Sequence, residues 1–187
     1  MNMDGNNDDF VAFLLLLGFQ NVELVGLAIT PADCFPDPAK EFVSKILYKR
    51  GLKVPVVVSD VEPINDFPKE FKQIAIKSNY LPALLNIEYL KDNELSTDAA
   101  EHMYSTAKKI FDDSQGKEKL TFLITGPPST FVKALKAHSD FKNYIEEVFW
   151  MGEQSKYLGM FPHHLKVNIM HIGILLQLKL LLNLAFQ

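Results

Sequence analysis

The sequence predicts an α/β fold: an open, mostly parallel sheet with helices on both faces. Three observations carry that prediction. Short apolar or β-branched runs alternate with segments of helical period, the pattern of parallel strands joined by helical crossovers. Three polar residues, Asp4, Asp33 and Thr125, each fall just beyond the C-terminal end of a predicted strand, the edge where such sheets bind ligands. Finally, 187 residues with 48% hydrophobic content suffice for one domain with a real core.

The elements follow in order. Only Met1-Asn2-Met3 precede the acidic turn Asp4-Gly5-Asn6-Asn7-Asp8-Asp9, whereas a buried strand is expected to run about five residues. The expectation is that a first strand has been cut upstream and that so short a stretch can hardly hold Asp4 in place. Asp8 to Phe19 reads as a very apolar, buried helix, and Val22 to Thr30 as a buried strand. Pro38 to Arg50 is an amphipathic helix stopped by Gly51. Val54 to Val58 is a β-branched strand. Ile64 to Asn86 is a Pro-punctuated excursion with a short helix around Pro68 to Lys77. Thr97 to Asp113 is a helix capped by Ser96 or Thr97. Leu120 to Thr125 is a strand, Thr130 to His138 a helix, and Glu147 to Met151 a strand.

The acidic turn is the most telling segment. Asp8 and Asp9 suit a first helical turn, where unpaired N–H groups and the dipole favour negative charge. Asp4, in the turn before it, faces the same space. Hard oxygen ligands converging from a turn and a helix start are what Ca²⁺ or Mg²⁺ requires. The plainer alternative is a helix cap with solvated acids, against which the extra Asp4-Gly5-Asn6 counts.

This cluster also resembles the signature of the nucleoside hydrolases, D-x-D-x-x-x-D-D, and its D-G-N-x-D-D-F form is similar to the purine-preferring inosine-adenosine-guanosine branch. Three further stretches match in order. Thr30-Pro31-Ala32-Asp33-Cys34-Phe35 resembles the segment after the second strand, and Asn65-Asp66-Phe67-Pro68-Lys69-Glu70-Phe71 the base-stacking segment. Leu123-Ile124-Thr125-Gly126-Pro127 followed by Trp150-Met151-Gly152 resembles the V-T-G-P and M-G-G stretches, with Glu153 in place of the second Gly. The resemblance implies a Rossmann-like fold and Ca²⁺-dependent hydrolysis of purine ribonucleosides to ribose and free base by a Ca²⁺-bound water. It implies that Asp4, Asp9 and the backbone oxygen of Thr125 hold the ion, and that Asp4 is also the general base. Asn6, Asp8 and Asp33 would bind ribose, and Phe71 would stack on the base where the branch usually has Trp. A further Asp ligand in the C-terminal half of family members has no counterpart here, and Asn2 stands where the family has an Asp.

Other readings compete. Asn2-Met3-Asp4-Gly5-Asn6 resembles the D-x-D-G-T motif of haloacid dehalogenase-type phosphatases, but Asn2 replaces the attacking carboxylate. A chain of this kind is alternatively a non-catalytic remnant that binds metal or another subunit. A net charge of −4 without a basic stripe argues against nucleic acid. The single cysteine, Cys34, excludes an internal disulfide and suits a reducing, cytoplasmic setting. No His partners it in sequence, so it reads as a small buried residue and not a nucleophile. His163 and His164 are adjacent, point apart and lack a spaced partner; the remaining histidines receive no role.

Residues 1–159 therefore form the N-terminal part of a hydrolase domain, and 160–187 a different tail. Its Leu-rich run from Leu175 to Leu182 carries Lys179 in mid-stretch and is short for a membrane span of about 20 residues. Restoring one base at the Gly159–Met160 junction, back-translating onward and choosing the free codon bases suitably yields a shifted frame containing E-Y-N-x-Y-W-D-P, which resembles the family's segment for the ribose 5′-hydroxyl end. The expectation is a frameshift, with impaired activity in the chain as written. Sequence leaves the oligomeric state open; a homo-oligomer is compatible with it.

Overall fold

Strand-forming runs become six parallel strands in the computed structural model, which describes residues 1–62, 68–89, 98–152 and 166–170. Among these residues the strands are β1 (Asn2–Met3), β2 (Leu27–Ile29), β3 (Val56–Val58), β4 (Leu120–Ile124), β5 (Ile145–Met151) and β6 (Val167–Met170). Their order is β3-β2-β1-β4-β5-β6, and every pairing is parallel. Chain order reverses between β1 and β4. A crevice therefore opens at the carboxyl ends of those two strands.

The helices are α1 (Asn7–Leu16), α2 (Pro36–Lys49), α3 (Ile74–Ser78), α4 (Ala99–Asp113) and α5 (Ser129–Ala137), with 3-10 turns at Phe71–Gln73 and Phe141–Tyr144. Two cores result, one on each face of the sheet. Phe10 and Phe13 of α1 and Phe42, Val43 and Leu47 of α2 pack with Met3, Leu27, Ile29 and Val56. On the opposite face, Met103 and Phe131 pack with Ala28, Val57, Phe122 and Ile124. Side chains alternate across a strand, so Leu27 and Ile29 enter one core while Ala28 enters the other. The Phe122 ring meets those of Phe131 and Phe141 at 4.9 and 5.6 Å, both edge-on.

Several elements depart from expectation, each for a physical reason. The two-residue β1 lies at the centre of the sheet, because hydrogen bonds seize it from both sides. The Ala28 and Thr30 N–H groups donate to the Met1 and Met3 carbonyls at 2.9 and 2.8 Å, and the Thr125 N–H donates to the Asn2 carbonyl at 2.9 Å. Asn2 and Met3 are both fully buried. The predicted strand from Val22 is paired only from Leu27 to Ile29, the residues with partners in β1 or β3. Helix α1 is buried on one side only: Phe10, Ala12 and Phe13 face the core, while Val11 and Leu14 are exposed. Helix α4 is capped by Asp98, whose carboxylate accepts from the Ala100 and Glu101 N–H groups at 3.0 and 3.3 Å. Strand β6 falls within the tail that the sequence reading set apart, and pairs with β5 from Val148↔Val167 to Met151↔Met170. Among the described residues, no helix is long and apolar enough to cross a membrane.

Candidate active site

Strand β1 delivers Asp4 to the carboxyl edge of the sheet, and Gly5 then turns the chain. Gly5 has φ +84°, and a Cβ there would lie 2.6 Å from Ala39 Cβ and 2.7 Å from Cys34 Sγ. Both facts require glycine. Asn6 starts α1 with a reciprocal cap: its side-chain oxygen accepts from the Asn7 N–H at 2.7 Å, and its own N–H donates to Asp9 Oδ2 at 2.9 Å. The cap consumes one oxygen of Asp9 and fixes the carboxylate over the turn.

Other strands close the site. Thr125, buried at the end of β4, donates its hydroxyl to Asp9 Oδ1. Asn6 Nδ2 donates to Asp33 Oδ2 at 2.7 Å, tying the loop after β2 to the turn after β1. The Cys34 thiol donates to the Asp4 backbone carbonyl. Gly126 permits the close approach of β4 to β1, since a Cβ there would sit 2.8 Å from the Asp4 backbone nitrogen and 3.0 Å from Asp4 Cβ.

Three carboxyls thus crowd one spot. Burial, then contact with Asp9, then the charge of Asp33 push the Asp4 carboxyl up to about 11. Burial, reinforced by Asp4, also drives the Cys34 thiol well above its usual range, which suits a packed residue and not a nucleophile. Asp33 Oδ1 is buried and has no hydrogen-bond partner. Stacked carboxylates with an orphaned buried oxygen fit a hard divalent cation, whose charge would let Asp4 ionise. Among the described residues, no group of three or more His, Cys, Asp or Glu side chains is arranged to hold a metal ion by itself.

Of the residues singled out in the sequence, Asp4, Asn6, Asp9, Asp33 and Thr125 come together, and Asp8 lies exposed in the first turn of α1 beside them. Phe71 begins the 3-10 turn Phe71–Gln73, but its side chain, Asn65 to Phe67, Glu153, His163, His164 and the Leu-rich tail lie outside the described residues. His138 serves structure: it bonds Glu101 at 2.8 Å and stacks on Tyr104 at 3.7 Å.

Sequence reasoning missed a polar layer beneath the carboxyls. Thr30 donates to Asn2 Oδ1 at 2.8 Å, and Thr130 Oγ1 lies 2.6 Å from Thr30 Oγ1 and 2.7 Å from Ser59 Oγ. Asn2 Nδ2 donates to the Pro127 carbonyl at 3.3 Å. This chain links the ends of β1, β2 and β3 to α5. Its one sequence signal was a hydroxyl residue closing each apolar strand, at Thr30, Ser59 and Thr125.

Fold and site together define an α/β protein with an acidic cluster at the switch point of a parallel sheet. The chain belongs to the inosine-uridine preferring nucleoside hydrolase family, whose sequence model matches residues 1–169. Among solved structures it is similar to an inosine-uridine preferring nucleoside hydrolase from Bacillus anthracis, at 26% identity and a TM-score of 0.78 over 91% of this chain and 63% of that one. A purine-preferring ribonucleoside hydrolase from Gardnerella vaginalis shares 20% identity and a TM-score of 0.56, over 82% and 49% of the two chains. An inosine-guanosine nucleoside hydrolase shares 14% and 0.52, over 83% and 49%. The last two identities speak to fold alone. The chain spans between about half and two thirds of the length of these structures. No curated protein matches it.

Proposed function

We propose that this fold serves the hydrolysis of the N-glycosidic bond of purine ribonucleosides, with Ca²⁺ as cofactor, and that the 187 residues by themselves carry it out poorly. The gathering of Asp4, Asp9 and Asp33 at the switch point, with one buried carboxylate oxygen left unpaired, is the observation that carries the reading. Asp4, Asp9 and Thr125 would hold the ion. When bound, Ca²⁺ would lower the pKa of a water and orient it.

The chain's own groups then divide the work. Asp4, freed to ionise, takes a proton from the water that attacks the anomeric carbon, while the bonding pair of the N-glycosidic bond leaves with the base. Asn6 and Asp33, already hydrogen-bonded to each other, and Asp8 beside them suit the ribose hydroxyls. Such contacts tighten as the sugar flattens toward an oxocarbenium-like transition state. Phe71 offers a stacking face for the purine, worth about 1–3 kcal/mol per base. Preference for purines rests on Asp4-Gly5-Asn6 and Phe71, and impairment on an incomplete ligand set among these residues. The phosphatase reading gains nothing here, because Asn2 is engaged with Thr30 and Pro127 below the crevice.

Free-base release from inosine and uridine, with Ca²⁺ or a chelator, tests this. The expected result is slow release favouring inosine, lost on chelation and in Asp4→Ala. Release indifferent to Asp4→Ala and to chelation contradicts the assignment, and rapid turnover contradicts the impairment.

A further inference from the structure

The polar layer beneath the carboxyls is built of side chains sealed from solvent. Asn2, Thr30, Ser59 and Thr130 are all buried. Burying polar groups there costs free energy that valine or leucine would not, so their presence needs a reason beyond packing. A buried network in which every group is satisfied holds one geometry, whereas apolar side chains can slide.

Proton counting shows that this network runs in one direction. The Pro127 carbonyl can only accept, so the Asn2 atom 3.3 Å from it is the amide nitrogen. Asn2 Oδ1 therefore faces Thr30, whose hydroxyl donates to it at 2.8 Å. Thr30 has then spent its single proton, and the 2.6 Å contact with Thr130 must carry the proton of Thr130. By the same count Ser59 donates to Thr130 across 2.7 Å, because the opposite sense would leave the Thr30–Thr130 contact without a proton. Ser59 Oγ in turn accepts from the Val61 N–H at 3.2 Å. The two ends are fixed by backbone groups that cannot reverse, an amide donor at Val61 and a carbonyl acceptor at Pro127.

The chain ends on the segment that meets the carboxyls. Asn2 holds that segment at both ends: its backbone carbonyl accepts from the Thr125 N–H at 2.9 Å, and its side chain bonds Pro127. Thr125 in turn donates to Asp9, and Gly126 lies against Asp4. Thr130, in the first turn of α5, stands at the middle of the chain.

We infer that Thr130 is a positioning residue for the proposed cation site: acting through Thr30 and Asn2, its hydroxyl sets Thr125 and Gly126 against Asp9 and Asp4. The inference rests on the cation reading given above. Without that hydroxyl the Ser59 proton loses its acceptor, and the Thr30 hydroxyl is free to turn away from Asn2. Side chains that orient metal ligands from one layer out change metal affinity about 10- to 100-fold when replaced.

Two full-length variants test it: Thr130→Val keeps the shape and loses the hydroxyl, and Thr130→Ser keeps the hydroxyl. In metal-free protein, amide exchange at Thr125 should quicken about tenfold in Thr130→Val relative to Ala107, buried in α4. The Ca²⁺ concentration that gives half of the maximal thermal stabilisation should also rise about tenfold. Thr130→Ser should match the parent on both measures. Ser59→Ala, which breaks the chain one link earlier, should shift both in the direction of Thr130→Val. A Thr130→Val protein that melts lower but keeps the parent's exchange ratio and Ca²⁺ requirement overturns the proposal, since the hydroxyl would then be structural only. A Thr130→Ser protein that behaves like Thr130→Val also overturns it. A parent chain indifferent to Ca²⁺ overturns the cation reading instead, and the exchange ratio alone then decides whether Thr130 sets the Thr125 turn.

Discussion

The two ends of β1, β2 and β4 are built on opposite terms. At the carboxyl end polar groups are packed against polar groups: Asp9 is held by Asn6 and Thr125, Asp33 by Asn6, and Asn2 by Thr30 and Pro127. At the amino end an ammonium group and strand edges border an apolar cavity. Two residues of β1 suffice above because β2 bonds the stretch on one side, through the Met1 and Met3 carbonyls, and β4 on the other, through the Asn2 carbonyl. Precision in a site therefore depends on hydrogen bonds across a strand's ends more than on the length of the strand.

That contrast can be broken at its tightest point first. Gly5→Ala introduces a side chain at positive φ into contact with Ala39 and Cys34, and should cost about 3 kcal/mol in urea unfolding. A loss below about 1 kcal/mol would mean that the turn is as loose as the lower end. Thr125→Val removes the hydroxyl from buried Asp9 at nearly constant shape, and should cost about 2 kcal/mol. If stability is unchanged, the strand end is not held by that bond.

The lower end should respond to acid. Both the Met1 amine and the His102 ring have folded pKa values below their ordinary ones, through burial. Folding therefore favours their neutral forms. The stability they contribute is complete above the ordinary amine value of 8.0 and is lost as pH falls toward about 5. The unfolding midpoint should drop on the order of 5 °C across that window, and Nα-acetylation of Met1 should remove most of the drop. An identical drop in acetylated protein would place its origin elsewhere.

Much of this was legible in the sequence, for reasons that differ by element. Asp8-Asp9 before an apolar run fixed a helix start within a residue, because capping chemistry is local. Alternation of strands and helices gave the parallel sheet, and Thr125 and Asp33 fell at its carboxyl edge as expected. The first half of the Val22–Thr30 strand did not form, because a strand is defined by its neighbour and propensity says nothing about the partner's length. The hydroxyl layer of Thr30, Ser59 and Thr130 left no sequence signal beyond a hydroxyl residue after an apolar strand, since it joins residues up to 100 positions apart. Gly126 stood out only as a member of the Leu123 to Pro127 stretch, and the reason for a glycine there, the close approach of Asp4, lies in the packing of β4 on β1.

The central claim is that the acidic cluster at the carboxyl edge is a cation site. Thermal unfolding of the metal-stripped chain and of Asp9→Asn, each with and without millimolar Ca²⁺, tests it without requiring turnover. Asp9→Asn keeps the shape of the cap and removes one charge from the cluster. Ca²⁺ should raise the midpoint of the unaltered chain by about 3 °C or more and leave that of Asp9→Asn in place. An unaltered chain indifferent to Ca²⁺, or a variant that gains as much as its parent, would contradict the account.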